Sequence, residues 1–242
     1  MLTSLFTLAV FLNVPLGSHS NSGVPLPIES LEGTWGPVTY LNQVMRTKRP
    51  QESANVGAPF TFEIHRNGKV WELLQGNFHE GIGGTITGVT SKGKDRFTLL
   101  LERGVFEIGL VHRKDGTLRI RGTYWGYPTE TYRRLEGSFS DELNRIVLAG
   151  KYKDPQGLVY EFSKSVATWP GIKPFEYQIE PDSTESGCEY FKSPNTKEGG
   201  DYKRYGYRWT NGRLFLYTIE YDGPNFPIAC VDKPFVILTP LR

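Results

Sequence analysis

The sequence predicts an all-β protein: an antiparallel up-and-down meander that closes into a barrel, with a β-rich subdomain appended at its C-terminal end. Three observations carry this. The pattern Leu/Ile-x-Gly-x-aromatic occurs five times, as Leu31-Glu32-Gly33-Thr34-Trp35, Leu74-Gln75-Gly76-Asn77-Phe78, Ile120-Arg121-Gly122-Thr123-Tyr124, Leu135-Glu136-Gly137-Ser138-Phe139 and Leu148-Ala149-Gly150-Lys151-Tyr152. The apolar, glycine and aromatic positions recur at period two. In a strand they share one face, and a glycine between two large residues marks a bend or bulge. Curved antiparallel sheets of this kind close into barrels. The composition agrees, since 27 Gly and 16 Pro accompany 14 Phe, 13 Tyr and 5 Trp, a mixture suited to strands joined by tight turns. Finally, no stretch after residue 30 carries a 3.6-residue apolar stripe over three turns, so helix is hardly expected.

Residues 1–20 hold no charged side chain, and an apolar run from Leu5 to Val14 ends at Pro15-Leu16-Gly17. With small residues at Ser18 and Ser20, this reads as a secretory signal peptide. The run is too short for a standard bilayer span, so no stable membrane insertion is expected. A secreted or extracellular protein follows, periplasmic if bacterial. Residues 21–30, with Pro25 and Pro27, read as a linker.

From Leu31 strand and turn alternate. Candidate strands are 33–41, 59–66, 69–75, 83–90, 96–102, 105–112, 117–125, 131–139, 144–152 and 158–165, and residues 31–165 are expected to form the barrel. Asn67-Gly68 between two alternating runs is the strongest hairpin signal. Short connections make sequential strands antiparallel neighbours, and a meander of ten strands curls and closes to hide its edges. Gly33, Trp35, Gly122, Gly137 and Gly150 are read as barrel-closing positions. The long connection 42–58 is expected to be a functional loop near an opening.

Residues 166–242 form the expected β-rich extension, with strands at 203–209, 213–221 and 234–239 and a hairpin at Thr210-Asn211-Gly212. Cys188 and Cys230 are the sole cysteines, and in a secreted chain they are expected to pair. Closing a loop of about 43 residues stabilises by roughly 4 kcal/mol in the chain-entropy model.

The glycine–aromatic pattern, opening with Gly33-Thr34-Trp35, resembles the calycin superfamily, which includes lipocalins, fatty-acid-binding proteins and avidins. Lipocalins place Gly-x-Trp at the start of their first strand. Avidin-like chains repeat Gly-x-Tyr or Gly-x-Trp, as Gly122-Thr123-Tyr124 and Gly150-Lys151-Tyr152 do here. The resemblance covers residues 31–165 and implies a barrel that holds a small hydrophobic ligand. Gly36-Pro37 stands where avidins continue a strand bearing biotin-contacting groups, which argues against biotin. Lipocalins often pack a late arginine on the first-strand Trp, and Arg133, Arg134 and Arg145 are the candidates.

The aromatic block Thr123 to Pro128 is the most ligand-like segment, and Trp71, Tyr124, Trp125 and Tyr127 are the candidate ligand contacts. Tyr202, Tyr205, Tyr207 and Trp209 alternate with Lys203, Arg204 and Arg208, which suits either a stacking platform or an ordinary amphipathic strand. His65 shares a strand face with Glu63, but helical zinc spacing, a nucleophile elbow and a phosphate loop are missing from the sequence. No catalytic residue, metal or cofactor is therefore expected. A net charge of +2 gives no argument for nucleic acid. The leading expectation is a secreted, lipocalin-like binding protein for a small hydrophobic molecule. The alternative is a secreted module with a self-filled barrel that meets a protein or glycan through loops 42–58 and 185–201. An enzyme using a barrel-mouth carboxylate or histidine comes third.

Overall fold

The structure, a computed structural model, describes residues 28–57, 59–76, 81–91, 96–102, 107–112, 116–121, 130–181, 188–194, 202–221 and 228–241. It is an all-β antiparallel fold in two bodies. The first is a closed barrel of eight strands, β1 (Gly33–Pro37), β2 (Thr61–Asn67), β3 (Val70–Gly76), β4 (Gly81–Ser91), β5 (Arg96–Leu101), β6 (Glu107–His112), β7 (Leu118–Arg121) and β8 (Glu130–Arg134). Each pairs with its sequence neighbour, and β8 returns to β1 with Trp35 opposite Arg134. Alternation turns Trp35, Phe62, Ile64, Leu73, Leu99 and Ile120 inward. A register shift between Ile86 and Gly88 supplies a bulge in β4, the device that lets a sheet curl.

The second body is a ten-stranded sheet of β9 (Gly150–Lys153), β10 (Val159–Phe162), β11 (Val166–Thr168), β12 (Phe175–Glu176), β13 (Gln178–Glu180), β14 (Glu189–Pro194), β15 (Tyr202–Thr210), β16 (Arg213–Tyr221), β17 (Ile228–Cys230) and β18 (Val236–Pro240). Its order is β12-β11-β10-β9-β18-β16-β15-β14-β13, with β17 added beside β16. The two ends of that order, β12 and β13, are separated in the chain by Tyr177 alone. The sheet must therefore curl into a half-barrel until its edges approach each other at that residue.

Three helices fill the space between the bodies: α1 (Val38–Thr47), α2 (Pro50–Ser53) and α3 (Phe139–Val147). α3 opens with a capping box, in which the Ser138 hydroxyl accepts from the Asp141 N–H and the Asp141 carboxylate accepts from the Ser138 N–H. It buries Phe139, Leu143, Ile146 and Val147 in the concave face of the second sheet, against Tyr152, Phe162, Phe191 and Leu216. α1 leaves the end of β1 and buries Tyr40, Leu41 and Val44 in the same cluster. The connection between the first two barrel strands therefore belongs to the core of the other body. α1 and α3 meet at Tyr40 and Phe139, whose ring centroids are 5.9 Å apart.

Several expectations are corrected. Residues 38–47 and 139–147 are helical, not strand or loop, because their short apolar stripes are completed by tertiary burial. The connection 42–58 is accordingly not a free loop. The expected strand 144–152 is the end of α3 followed by β9, and β9 and β10 pair within the second sheet, so the barrel ends at Arg134 instead of 165. Gly137 (φ 111°) and Gly150 (φ 153°) do not close the barrel: they turn the chain into and out of α3, in a backbone region that only glycine occupies freely. Of the linker, Ile28–Leu31 forms a 3-10 turn that buries Leu31. Residues 1–27 and Gly122 lie outside the described residues.

Cys188 and Cys230 form the expected disulfide, with a Cα separation of 5.8 Å. It crosses the outer face of β15 directly over Gly206, where an added Cβ would stand 2.2 Å from the Cys230 sulfur. Glycine is required there by close approach.

Leu41 is fully buried where the two bodies meet. Leu41→Ala is expected to cost about 3 kcal/mol. Scanning calorimetry should show one shifted transition, because the residue belongs to the connection of one body and the core of the other. Two separated transitions would contradict this coupling.

Candidate functional site

The barrel has two unlike ends. The 3-10 turn Ile28–Leu31 lies at the start of β1, and the Trp35 indole N–H donates to the Leu31 carbonyl at 2.9 Å. Arg134, across the ladder from Trp35, holds its guanidinium 4.9 Å from the indole centroid and donates to the Ser30 carbonyl. Turn, indole and guanidinium together seal this end. Arg134 is thus the arginine on the first-strand Trp, while Arg133 points outward to Glu142.

Strand direction assigns the connections. The turn at Gly68-Lys69 lies at the sealed end, and Trp71, opposite Arg66 beside that turn, packs half-buried against the barrel core there. β3, β5 and β7 finish, and α1 begins, at the opposite end. Tyr124, Trp125 and Tyr127 lie outside the described residues. Of the four expected ligand contacts the described residues include Trp71 alone, at the sealed end. Sequence reasoning missed Gln75. It stands opposite the inward Phe62, toward the end away from the seal, and is 4% exposed. An amide at an alternating interior position of an otherwise apolar strand was the available signal.

A second concavity, of about 240 Å³, lies where the helices meet the half-barrel and is lined in part by Lys48, Arg49, Glu189, Tyr207 and Trp209. Register places Glu189 opposite Tyr207 on the concave face. The Glu189 carboxylate accepts from the backbone N–H groups of Gln51 at 3.1 Å and Glu52 at 3.3 Å, and so ties α2 to the sheet. Lys48 donates to the Ile146 carbonyl and Trp209 to the Val147 carbonyl at the end of α3. Burial pushes the Glu189 carboxyl up to about 7, against the pull of the two backbone donors. Burial also raises the Tyr207 phenol and lowers the Lys48 ammonium. Both carboxylate oxygens face α2, so the arrangement is a clasp within the chain that loses or gains a proton near neutrality. On the barrel wall, His65 faces outward between Glu72 at 3.1 Å and Glu63 at 3.9 Å. Among the described residues no group of three His, Cys, Asp or Glu could hold a metal ion.

The alternating aromatic and basic residues of β15 divide between faces. Tyr205, Tyr207 and Trp209 pack into the core of the half-barrel, whereas Arg204 and Arg208 stand on its outer side. Residues 189–194 of the expected loop 185–201 are strand β14. The rest, apart from Cys188, lies outside the described residues.

Two outcomes follow from these contacts. Arg134→Ala should cost about 2 kcal/mol, from the lost cation–π contact and the charged hydrogen bond. It should also shift Trp fluorescence to the red as the turn at 28–31 loosens. For Glu189, the folded carboxyl keeps a proton that the unfolded one releases between about pH 4.5 and pH 7. Its contribution therefore declines as pH rises through that window and is constant above it. Relative to Glu189→Gln, wild type should lose about 2 kcal/mol of stability between about pH 5 and pH 7.5, measured by urea unfolding. Parallel curves for the two proteins would contradict the clasp.

Among the described residues no helix is long and apolar enough to cross a membrane. Compared with protein-family models, curated proteins and solved structures, the chain has no match in any of the three.

Proposed function

We propose that the eight-stranded barrel is calycin-like and that it binds a small hydrophobic molecule through its open end, as a secreted carrier or scavenger. The observation that carries this reading is the asymmetry of the barrel. One end is sealed by the 3-10 turn, Trp35 and Arg134, which makes the opposite end, where β3, β5 and β7 finish, the way in. The driving force in this reading is burial of apolar surface, and the inward residues around Leu73, Leu99 and Leu101 are apolar. The Gln75 amide offers a polar group to orient the ligand, the division of labour usual in such pockets. Secretion is supported by the charge-free segment 1–20 and by the disulfide, which persists in oxidising compartments.

Native mass spectrometry of protein purified from a secreting host is expected to show a bound mass that denaturation releases. An apolar fluorescent probe such as aminoanthracene should bind and be displaced by the released molecule. Gly84 stands opposite Leu73, on the interior wall, with ordinary room for a Cβ beside Leu101. Gly84→Phe would project a ring into the barrel interior and should weaken probe binding by roughly tenfold or more with the far-ultraviolet spectrum unchanged. A barrel that carries no molecule and binds no probe refutes the reading.

A further inference from the structure

The outer face of the half-barrel points to a second activity, separate from the barrel lumen. We propose that the convex surface of β15, β16, β18 and β9 is a docking surface for a sulfated polysaccharide chain.

The register builds this surface. Arg208 of β15 lies opposite Phe215 of β16, which lies opposite Ile237 of β18. In the next row Thr210 lies opposite Arg213, and Thr239 of β18 lies opposite Lys153 of β9. Arg208, Arg213 and Lys153 are exposed. At about 4.8 Å per strand they extend over roughly 14 Å of sheet, the scale of a short stretch of polymer rather than of one small anion. Two of the cations are held in place by the sheet itself. The Arg208 guanidinium lies 5.8 Å from the Tyr217 ring centroid and that of Arg213 lies 5.7 Å from Phe215. Stacking on a ring restricts a long side chain before binding and leaves the guanidinium N–H fork for an oxyanion. Less ordering is then needed when the partner arrives.

The surface is also one-signed. β9, β15 and β18 contain no Asp or Glu, and β16 contains one, Glu220, seven residues along the strand from Arg213. Glu161 of β10 is matched by Lys151 at 3.4 Å. No carboxylate among the described residues pairs with Arg208, Arg213 or Lys153. The chain as a whole is nearly balanced at +2, so this concentration of one sign belongs to the face and not to the composition. Such a patch attracts a polyanion and is weakened by salt.

The aromatic residues decide which polyanion. Nucleic-acid platforms offer open rings for bases to stack on. Here Tyr205, Tyr207 and Trp209 are turned into the core, and the rings on the outer face lie beneath guanidinium groups. A lipid surface would call for a cluster of protruding apolar side chains, whereas Phe215 and Ile237 are half-buried in the weave of the sheet and the exposed Val159 stands at its margin, opposite Lys153. Repeated sulfate or carboxylate groups on a sugar chain fit what remains.

The test uses immobilised heparin and the full secreted chain. Wild type is expected to be retained at about 0.15 M salt and to elute as salt rises, because screened cations release a polyanion. The triple variant Arg208→Ser, Arg213→Ser, Lys153→Ser should bind soluble heparin roughly a hundredfold more weakly. Lys69→Ser, Lys164→Ser, Lys173→Ser removes the same charge elsewhere and should bind as wild type does. Thermal unfolding of both variants excludes loss of fold. If heparin binding failed only in an unfolded triple variant, Arg208→Lys with Arg213→Lys would keep the charge and, lacking the stacked fork, should still lose several-fold in affinity. Flow-through of wild type, equal loss in the control triple, or equally tight binding to duplex DNA or phosphatidylserine vesicles would each overturn the proposal. Probe binding in the barrel lumen should be the same in all these variants, which separates failure here from failure of the carrier reading.

Discussion

The burial of one short helix governs how this molecule is put together. Tyr40, Leu41 and Val44 of α1 are all fully buried, yet the strands on either side of the helix belong to the barrel. The closure of β1 against β2 and the filling of the half-barrel thus depend on the same ten residues. The seat is tight on the barrel side as well. A Cβ at Gly36 would come within 2.8 Å of the Leu41 side chain and 3.0 Å of that of Leu135, so glycine lets the helix lie against the outer wall of β1. Around this packed layer the polar contacts fall into place. The Glu142 carboxylate is disfavoured by burial, but hydrogen bonds from Arg145 and Arg133 outweigh that cost and hold it below the usual carboxylate range. Through them α3 is fastened to β8. The Asn144 side chain donates to the Lys164 and Tyr177 carbonyls and accepts from the Ile179 N–H, which binds both edges of the curled sheet to one helix. A buried amide with these three contacts is a well-satisfied polar group in an apolar core.

The sequence made the strands legible because period-two alternation and turn chemistry are local. All eight barrel strands were anticipated within a few residues, as were the hairpin at Asn67-Gly68, the second at Asn211-Gly212 and the pairing of the two cysteines. What escaped was set by partners far away in the chain. α1 and α3 span ten and nine residues, too short for a three-turn stripe to announce itself. Ser138 and Asp141 nevertheless carry a capping-box spacing, obscured because 131–139 and 144–152 read as strands on either side of a short connection. The repeat Leu135-x-Gly-x-Phe139 imitated a strand although its glycine serves as a helix entrance. Residues 148–152 resembled further meander, since nothing local says which of two sheets a strand will join.

The candidate site was legible in its chemistry but not in its grouping. Gly33-Thr34-Trp35 correctly marked the start of the first barrel strand, and an arginine on the indole was anticipated, but choosing Arg134 over its neighbour Arg133 required knowing which face β8 turns inward. Trp71 was legible as an aromatic on a strand, and it took strand direction to put it at the sealed end. The half-barrel shows the same logic in reverse. Its alternating β15 was ambiguous between a ring platform and a core strand, and the register of β14 and β16 decided for the core. That decision moved the informative chemistry to the opposite surface.

The glycine beneath the disulfide does more than make room. Cys188 precedes β14 and Cys230 ends β17, and their sulfurs meet over Gly206 of β15, the strand that β14 and β16 flank. A slip of one residue along β15 would bring Tyr205 or Tyr207 under the bridge, where a side chain leaves no space for it. The bond consequently acts as a gauge of alignment: oxidation is confined to chains whose strands are already correctly paired, and the covalent link then records that pairing permanently.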